Sequence, residues 1–305
     1  MHNGYLSNKD GLNKAEIYKM TNEYKLYGLT SNPFRAVSAE AIENISLLHV
    51  SQKIDSEFSC IVGEVSEGGR AVVAYAGDLG IGKSERLRWL EEVAIKSGIF
   101  HVFLSVEQDY AFNMKRLFES GLKQINDKLG FIGRLKTPGY VTEIKKSLKQ
   151  KKEPVELGML ASIMLKEQAP SYILLDNIDC GDNNFQDFLI SLVNNLKAGS
   201  LLTFTCNKEF FEGIRRANPS FIDRINKLYM LDGLADKEAE LLAAKRLAVS
   251  RSVQNMDPLF PFTKEFVYSL NSQVNGNPRA LLKGMDDALS KACIAGMPLI
   301  AKSMG

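Results

Sequence analysis

The residues Gly77-Asp78-Leu79-Gly80-Ile81-Gly82-Lys83-Ser84 spell G-x-x-x-x-G-K-[ST], and no other stretch of the 305-residue chain restricts its fold so sharply. Glycines let successive backbone N–H groups turn inward around phosphate oxygens, the lysine reaches the β- and γ-phosphates, and the hydroxyl is a ligand for Mg²⁺. The pattern carries this meaning only between a buried strand and a helix. Ala71-Val72-Val73-Ala74-Tyr75 is a short apolar run suited to the strand, and Leu87, Leu90, Val93 and Ala94 recur behind the loop at helical spacing. That helix, starting around Lys83, Ser84 and Glu85, directs its positive N-terminal end at the same anion. Gly77 through Glu85 are therefore the expected binding residues for ATP or ADP.

The alternation continues downstream. Ile99 to Leu104, Tyr172 to Leu175, Leu201 to Thr205 and Leu228 to Leu231 are further apolar runs of strand length. A helical, lysine-rich stretch from about 109 to 170 separates the second run from the third. Phe185, Phe188, Leu189, Leu192, Val193 and Leu196 mark the clearest helix, with Gly199 at its stop position. Strands alternating with helices imply an α/β fold, a five-stranded parallel sheet flanked by helices. Upstream, apolar runs between Ile45 and Ala76, separated by Glu67-Gly68-Gly69, suggest a hairpin feeding the first strand. Past Gly233 only helical periodicity remains, with helices after Asp236 and Thr263 and a third carrying Leu281, Met285, Ala288, Leu289 and Ala292. The expected division is an N-terminal segment over 1–40, a nucleotide-binding core over 41–233 and an all-α lid over 234–305.

Composition sets limits on partners. A net charge of +2 is too small to imply a polyanion by itself. Cys60, Cys180, Cys206 and Cys293 form no C-x-x-C pair, which suits reduced and buried thiols in a cytoplasmic protein. The first residues hold no apolar signal core, and no stretch is apolar enough for a membrane span.

A phosphate loop works with an acidic residue on a neighbouring strand, which positions Mg²⁺ and its water. Asp176 ends the third run and fits that role beside Ser84, although an Asp at a strand end is also an ordinary turn cap. Asn177 stands where hydrolytic P-loop proteins usually place a Glu to polarise the attacking water, and an amide orients water without accepting its proton. Asp179 on the same turn and Glu107 at the end of the second strand could substitute, Glu107 being otherwise a solvated loop residue. Slow hydrolysis is expected, with ATP more a switch than a fuel. Asn207, after the fourth strand, could hold the water near the γ-phosphate or cap the helix starting near Glu209. Gly276-Asn277-Pro278-Arg279 sets Arg279 at a helix start, able to swing over the γ-phosphate or to join a surface ion pair. Arg224 could reach the nucleotide of a neighbouring subunit in a homo-oligomer, with Arg215 and Arg216 as rivals.

In this order the motifs resemble the AAA+ ATPases, and among them the archaeal origin-recognition and replication-initiator branch. Transposition regulators and secretion-associated AAA+ ATPases are also similar. The resemblance spans roughly residues 25–305 and rests on Tyr27 to Phe34 (Tyr-Gly-Leu-Thr-Ser-Asn-Pro-Phe), Gly77 to Ser84, Asp176 to Asp179, Asn207 and Gly276 to Arg279. Leu259-Phe260-Pro261-Phe262-Thr263 is similar to the lid of the initiator branch. The resemblance implies that Tyr27, Asn32 and Phe34 help enclose adenine. Initiators carry Asp-Glu-x-Asp where this chain has Asp176-Asn177-Ile178-Asp179, and they continue into a winged-helix domain where this sequence stops at Gly305. Autonomous origin recognition is not expected.

Initiators also carry a DNA-contacting helix between the second and third strands. Arg134, Lys136, Lys145, Lys146, Lys149, Lys151 and Lys152 cluster in that region here, diluted by Glu143 and Glu153. Two partners stay open: DNA held through segment 134–152, or a protein that an ATP-dependent assembly remodels or recruits. A small-molecule kinase lacks any visible acceptor-binding motif.

Overall fold

The computed structural model describes residues 24–36, 45–133, 138–150, 152–252 and 256–301. They form two compact units, one over 51–232 and one made from the chain up to residue 50 together with the chain from 233 onward.

The first unit is a five-stranded parallel sheet in the order β2-β3-β4-β1-β5. Its strands are β1 (Arg70–Gly77), β2 (Phe100–Ser105), β3 (Ser171–Asp176), β4 (Ser200–Cys206) and β5 (Lys227–Leu231). Both faces of β1 are covered, which is why its sequence is a near-continuous apolar run rather than an alternation. Val72, Ala74 and Ala76 enter one core, and Ala71, Val73 and Tyr75 enter the other. The second face packs on α1 (Lys53–Ser66) and α2 (Lys83–Lys96) through Phe58, Val65, Leu87, Leu90 and Ala94. The first face is covered by α3 (Tyr110–Gly133), α4 (Gly139–Gln150), α5 (Pro154–Glu167), α6 (Asn183–Asn195) and α7 (Lys208–Ala217).

The stretch before β1 corrects the sequence reading. It is the helix α1, not the first arm of a hairpin. Ile54, Phe58, Ile61, Val62 and Val65 recur at helical spacing and turn one face to the sheet. The Glu67-Gly68-Gly69 turn is real, with Gly68 at φ 98°, but it joins a helix to a strand. Asp55 on α1 and Arg86 on α2 form a buried ion pair, and Gln52 accepts a second hydrogen bond from the same guanidinium.

The second unit is built on α8 (Asp236–Ser250), α9 (Lys264–Gln273) and α10 (Pro278–Ala295). The N-terminal residues belong to its core. Tyr27, Leu29 and Phe34 are buried with Leu247, Phe262, Met285 and Leu289, and Phe34 meets Phe262 edge-on at 5.6 Å. Thr30 N donates to Ser250 O at 2.7 Å, and Tyr27 Oη donates to Met297 O at 2.5 Å. Among the described residues, no helix is long and apolar enough to cross a membrane.

Candidate nucleotide site

The strand order sets the site. In an open parallel sheet, ligands bind beyond the carboxyl ends of the strands, where the order of connection reverses. Here β1 leads away to β2 at the far edge, whereas β4 returns past β1 to β5. The ends of β1, β3 and β4 thereby bring together Gly77, Asp176 and Cys206, with Ala76 opposite Cys206 in register.

The loop after β1 needs glycine where it is found. Gly80 has φ 82° and Gly82 has φ 102°, left-handed conformations that cost a side chain about 1–2 kcal/mol. Gly82 caps α2, so Lys83 and Ser84 are its first two residues. The Lys83 ammonium is buried and donates to Gly77 O at 2.7 Å and Asp78 O at 2.9 Å. Burial holds its pKa below the ordinary lysine value, opposed by Asp179, Cys206, Asp176 and Asp78. Lys208, at the start of α7, reaches back to the loop and pairs with Asp78 at 3.3 Å. Glu85 is half-buried on the first turn of α2.

Asp176 lies at the centre, 1 % exposed. Its Oδ1 accepts from Thr205 Oγ1 at 2.5 Å and from Ser84 Oγ at 3.1 Å. Burying a carboxylate is costly unless donors surround it, and these hydroxyls supply them. Thr205 is the candidate-site residue that sequence reasoning did not single out, since a hydroxyl within an apolar strand reads as filler. Its signal was position, one residue before the end of β4 and two before Asn207. Thr205 Oγ1 also accepts from Asn177 N at 2.8 Å. Asn177 adopts a left-handed conformation at φ 57°, and its Nδ2 approaches Asp176 Oδ2 at 3.4 Å.

Asn207 performs two tasks at once. Its Oδ1 accepts from Phe210 N at 2.7 Å and caps α7, while its Nδ2 donates to Asp179 Oδ2 at 2.7 Å. The other carboxylate oxygen, Asp179 Oδ1, is buried and has no hydrogen-bond partner among the described residues.

The remaining expected residues lie elsewhere. Glu107 is exposed and pairs with Arg116 at 3.0 Å, its backbone held by Asn113. Arg224 is exposed and joins no ion pair among the described residues, whereas Arg215 pairs with Glu212 at 3.4 Å. Arg279, Tyr27, Asn32 and Phe34 belong to the helical unit. Arg279 is the second residue of α10, whose cap Asn277 accepts from Ala280 N at 3.1 Å. Asn32 Nδ2 donates to Asp286 Oδ1 at 2.6 Å, so the side chains of Tyr27, Asn32 and Phe34 all engage their own unit. On α4, Lys145, Lys146 and Lys149 are exposed, while Lys152 pairs with Glu143 at 2.7 Å and Glu156 at 3.6 Å. Arg134, Lys136 and Lys151 lie outside the described residues.

No model of a known protein family matches the chain, and no curated protein matches it. Solved structures do. The Cdc6p protein of Pyrobaculum aerophilum aligns over 84 % of this chain and 68 % of its own, with a TM-score of 0.55 and 11 % identity. The ORC2 protein of Aeropyrum pernix, solved in an ADP form, covers 86 % of this chain and 70 % of its own at TM-score 0.53 and 13 % identity. The ORC1 protein of the same organism, solved in complex with DNA, covers 86 % of this chain and 67 % of its own at TM-score 0.51 and 15 % identity. The chain therefore has the α/β AAA+ fold of the archaeal Cdc6 and Orc structures.

Proposed function

We propose that this protein is an ATP-binding AAA+ switch with slow hydrolysis, which oligomerises around its nucleotide and acts in a DNA-associated process. One observation carries the reading: Ser84 and Thr205 both donate to Asp176 at the carboxyl ends of adjacent strands, with Lys83 held on the loop after β1 and Asn207 holding Asp179. A glycine loop capping α2 presents backbone N–H groups to a phosphate chain, with the Lys83 ammonium as its counter-charge. Ser84 Oγ and Asp176 are hard oxygen donors 3.1 Å apart, a set that fits Mg²⁺, which takes few protein ligands beside substrate phosphates. When bound, Mg²⁺ would neutralise charge on the phosphate oxygens. Asn177 cannot accept a proton, which supports slow turnover. Arg279, at the start of α10, is the lid residue proposed to reach the γ-phosphate, and Arg224 the one proposed to act on a neighbouring subunit's nucleotide. The backbone around Tyr27 to Phe34 is the proposed adenine side. The proposed lid is the segment 234–305 within the helical unit, and the proposed location is the cytoplasm.

The DNA reading draws on the exposed Lys145, Lys146 and Lys149 of α4 and on a neighbour solved with DNA. A second reading, a protein partner without DNA, is favoured by the neutralisation of Lys152 by Glu143 and Glu156. Titration with ATP and with mixed-sequence DNA at several salt concentrations, with mass measured in solution, separates the two. Each phosphate contact adds about −0.9 to the log–log salt slope, so replacing the three lysines by alanine should flatten it by roughly 2.7. An ATP-dependent oligomer with no DNA affinity at low salt would favour the protein partner.

A further inference from the structure

We infer that Asp179, clamped by Asn207, is the carboxylate that takes over from the glutamate missing at position 177, a reading that rests on the nucleotide site proposed above. Three observations converge. Asn177 is turned toward Asp176, with Nδ2 at 3.4 Å from Oδ2, and offers no carboxylate. Glu107, the rival, is exposed and paired with Arg116 at 3.0 Å. Asp179 has Oδ2 fixed by Asn207 Nδ2 at 2.7 Å and Oδ1 buried without a donor. A buried acceptor left open in this way is unusual and marks a place for a donor that the protein does not supply. The donor that fits is the attacking water. Asp179 is also first among the charges that oppose the lowering of the Lys83 pKa by burial.

The step balances as follows. Asp179 Oδ1 takes one proton from the water as the water oxygen bonds to the γ-phosphorus. The bond from that phosphorus to the β,γ-bridging oxygen breaks, and its electron pair stays on the oxygen of ADP. Asp179 then returns the proton to solvent, leaving ADP and inorganic phosphate. Asn207 is a positioning residue here, since it acts through Asp179.

The test measures affinity for a fluorescent ATP analogue and single-turnover ATP hydrolysis on the full chain. Asp179→Asn should keep the dissociation constant within about threefold while hydrolysis falls by roughly 100-fold or more, the usual contribution of a general base. Adding Asn177→Glu to Asp179→Asn should restore hydrolysis, because a carboxylate returns at the usual position. Asn207→Ser keeps a cap for α7 but removes the clamp, so it should slow hydrolysis with affinity retained, and it decides the matter if Asp179→Asn does not fold. Hydrolysis by Asp179→Asn within threefold of wild type, or a wild type that binds ATP without hydrolysing it, overturns the role of Asp179 and leaves the nucleotide site standing. A wild type that binds no nucleotide overturns the site itself.

Discussion

Lys83 carries a full charge with little water around it, so its worth depends on what it faces. Its ammonium donates to two loop carbonyls, at 2.7 and 2.9 Å, and would be the strongest single partner for a bound phosphate chain. Lys83→Ala should weaken ATP binding by about 1.5–3 kcal/mol, roughly 10- to 150-fold, the usual value of a hydrogen bond to a charged group. Equilibrium titration with a fluorescent analogue checks it. Cys206, the last residue of β4, has its thiol pushed up to about 12 by burial. It should resist alkylation under conditions that label the exposed Cys60, and mass spectrometry of the labelled protein reads the difference. At this scale the residues that the structure gathers at the candidate site were mostly visible in the sequence. Lys83, Ser84, Asp176 and Asn207 each combine a distinctive residue type with a fixed place beside a strand. Thr205 was not, because its contact with Asp176 comes from the pairing of β3 with β4, which one strand's sequence does not state.

The strands and most helices were legible as elements, because buried parallel strands and amphipathic helices leave different periods. The failure at α1 has a physical cause. Its apolar residues are dense enough to read as short strands, and the following Gly-Gly turn suits either outcome. The polar evidence for a helix was also hidden, since Asp55 becomes meaningful only when paired with Arg86. Removing one member leaves the other buried without its counter-charge, which costs about 3–5 kcal/mol. Arg86→Met and Asp55→Leu should each lower the unfolding free energy by that amount, read from the urea midpoint and slope, and the double variant should lose less than either single one. A second element-scale contact is between α5 and α6, where a Cβ on Gly158 would stand 2.7 Å from Phe188 O and from Ser191 Cβ. Gly158→Val should cost about 1–3 kcal/mol by overpacking, read from the same unfolding curves.

For the whole molecule, the two units have separate apolar cores. A core loss confined to one should leave the other's melting unchanged. Phe34→Ala empties a fully buried aromatic site in the helical unit and should destabilise that unit by about 3–5 kcal/mol. Calorimetry should then show one transition lowered and one in place, and a uniform downward shift of both would contradict the division. Sequence alone did not assign Tyr27 to Phe34 to that core, because their partners lie more than two hundred residues away. Long-range packing of this kind leaves no periodic trace near the residues that take part in it.

That separation also sets an order of events during synthesis. Tyr27 is completed by a bond to Met297, 270 residues later. At about 5–20 residues per second, a ribosome needs roughly 14 to 54 seconds to bridge that gap. The α/β unit can close its sheet within the interval, since its strands run from Arg70 to Leu231. The apolar segment around Tyr27 therefore waits for partners made only after every strand of the α/β unit, and its aromatic side chains stay uncovered throughout that interval.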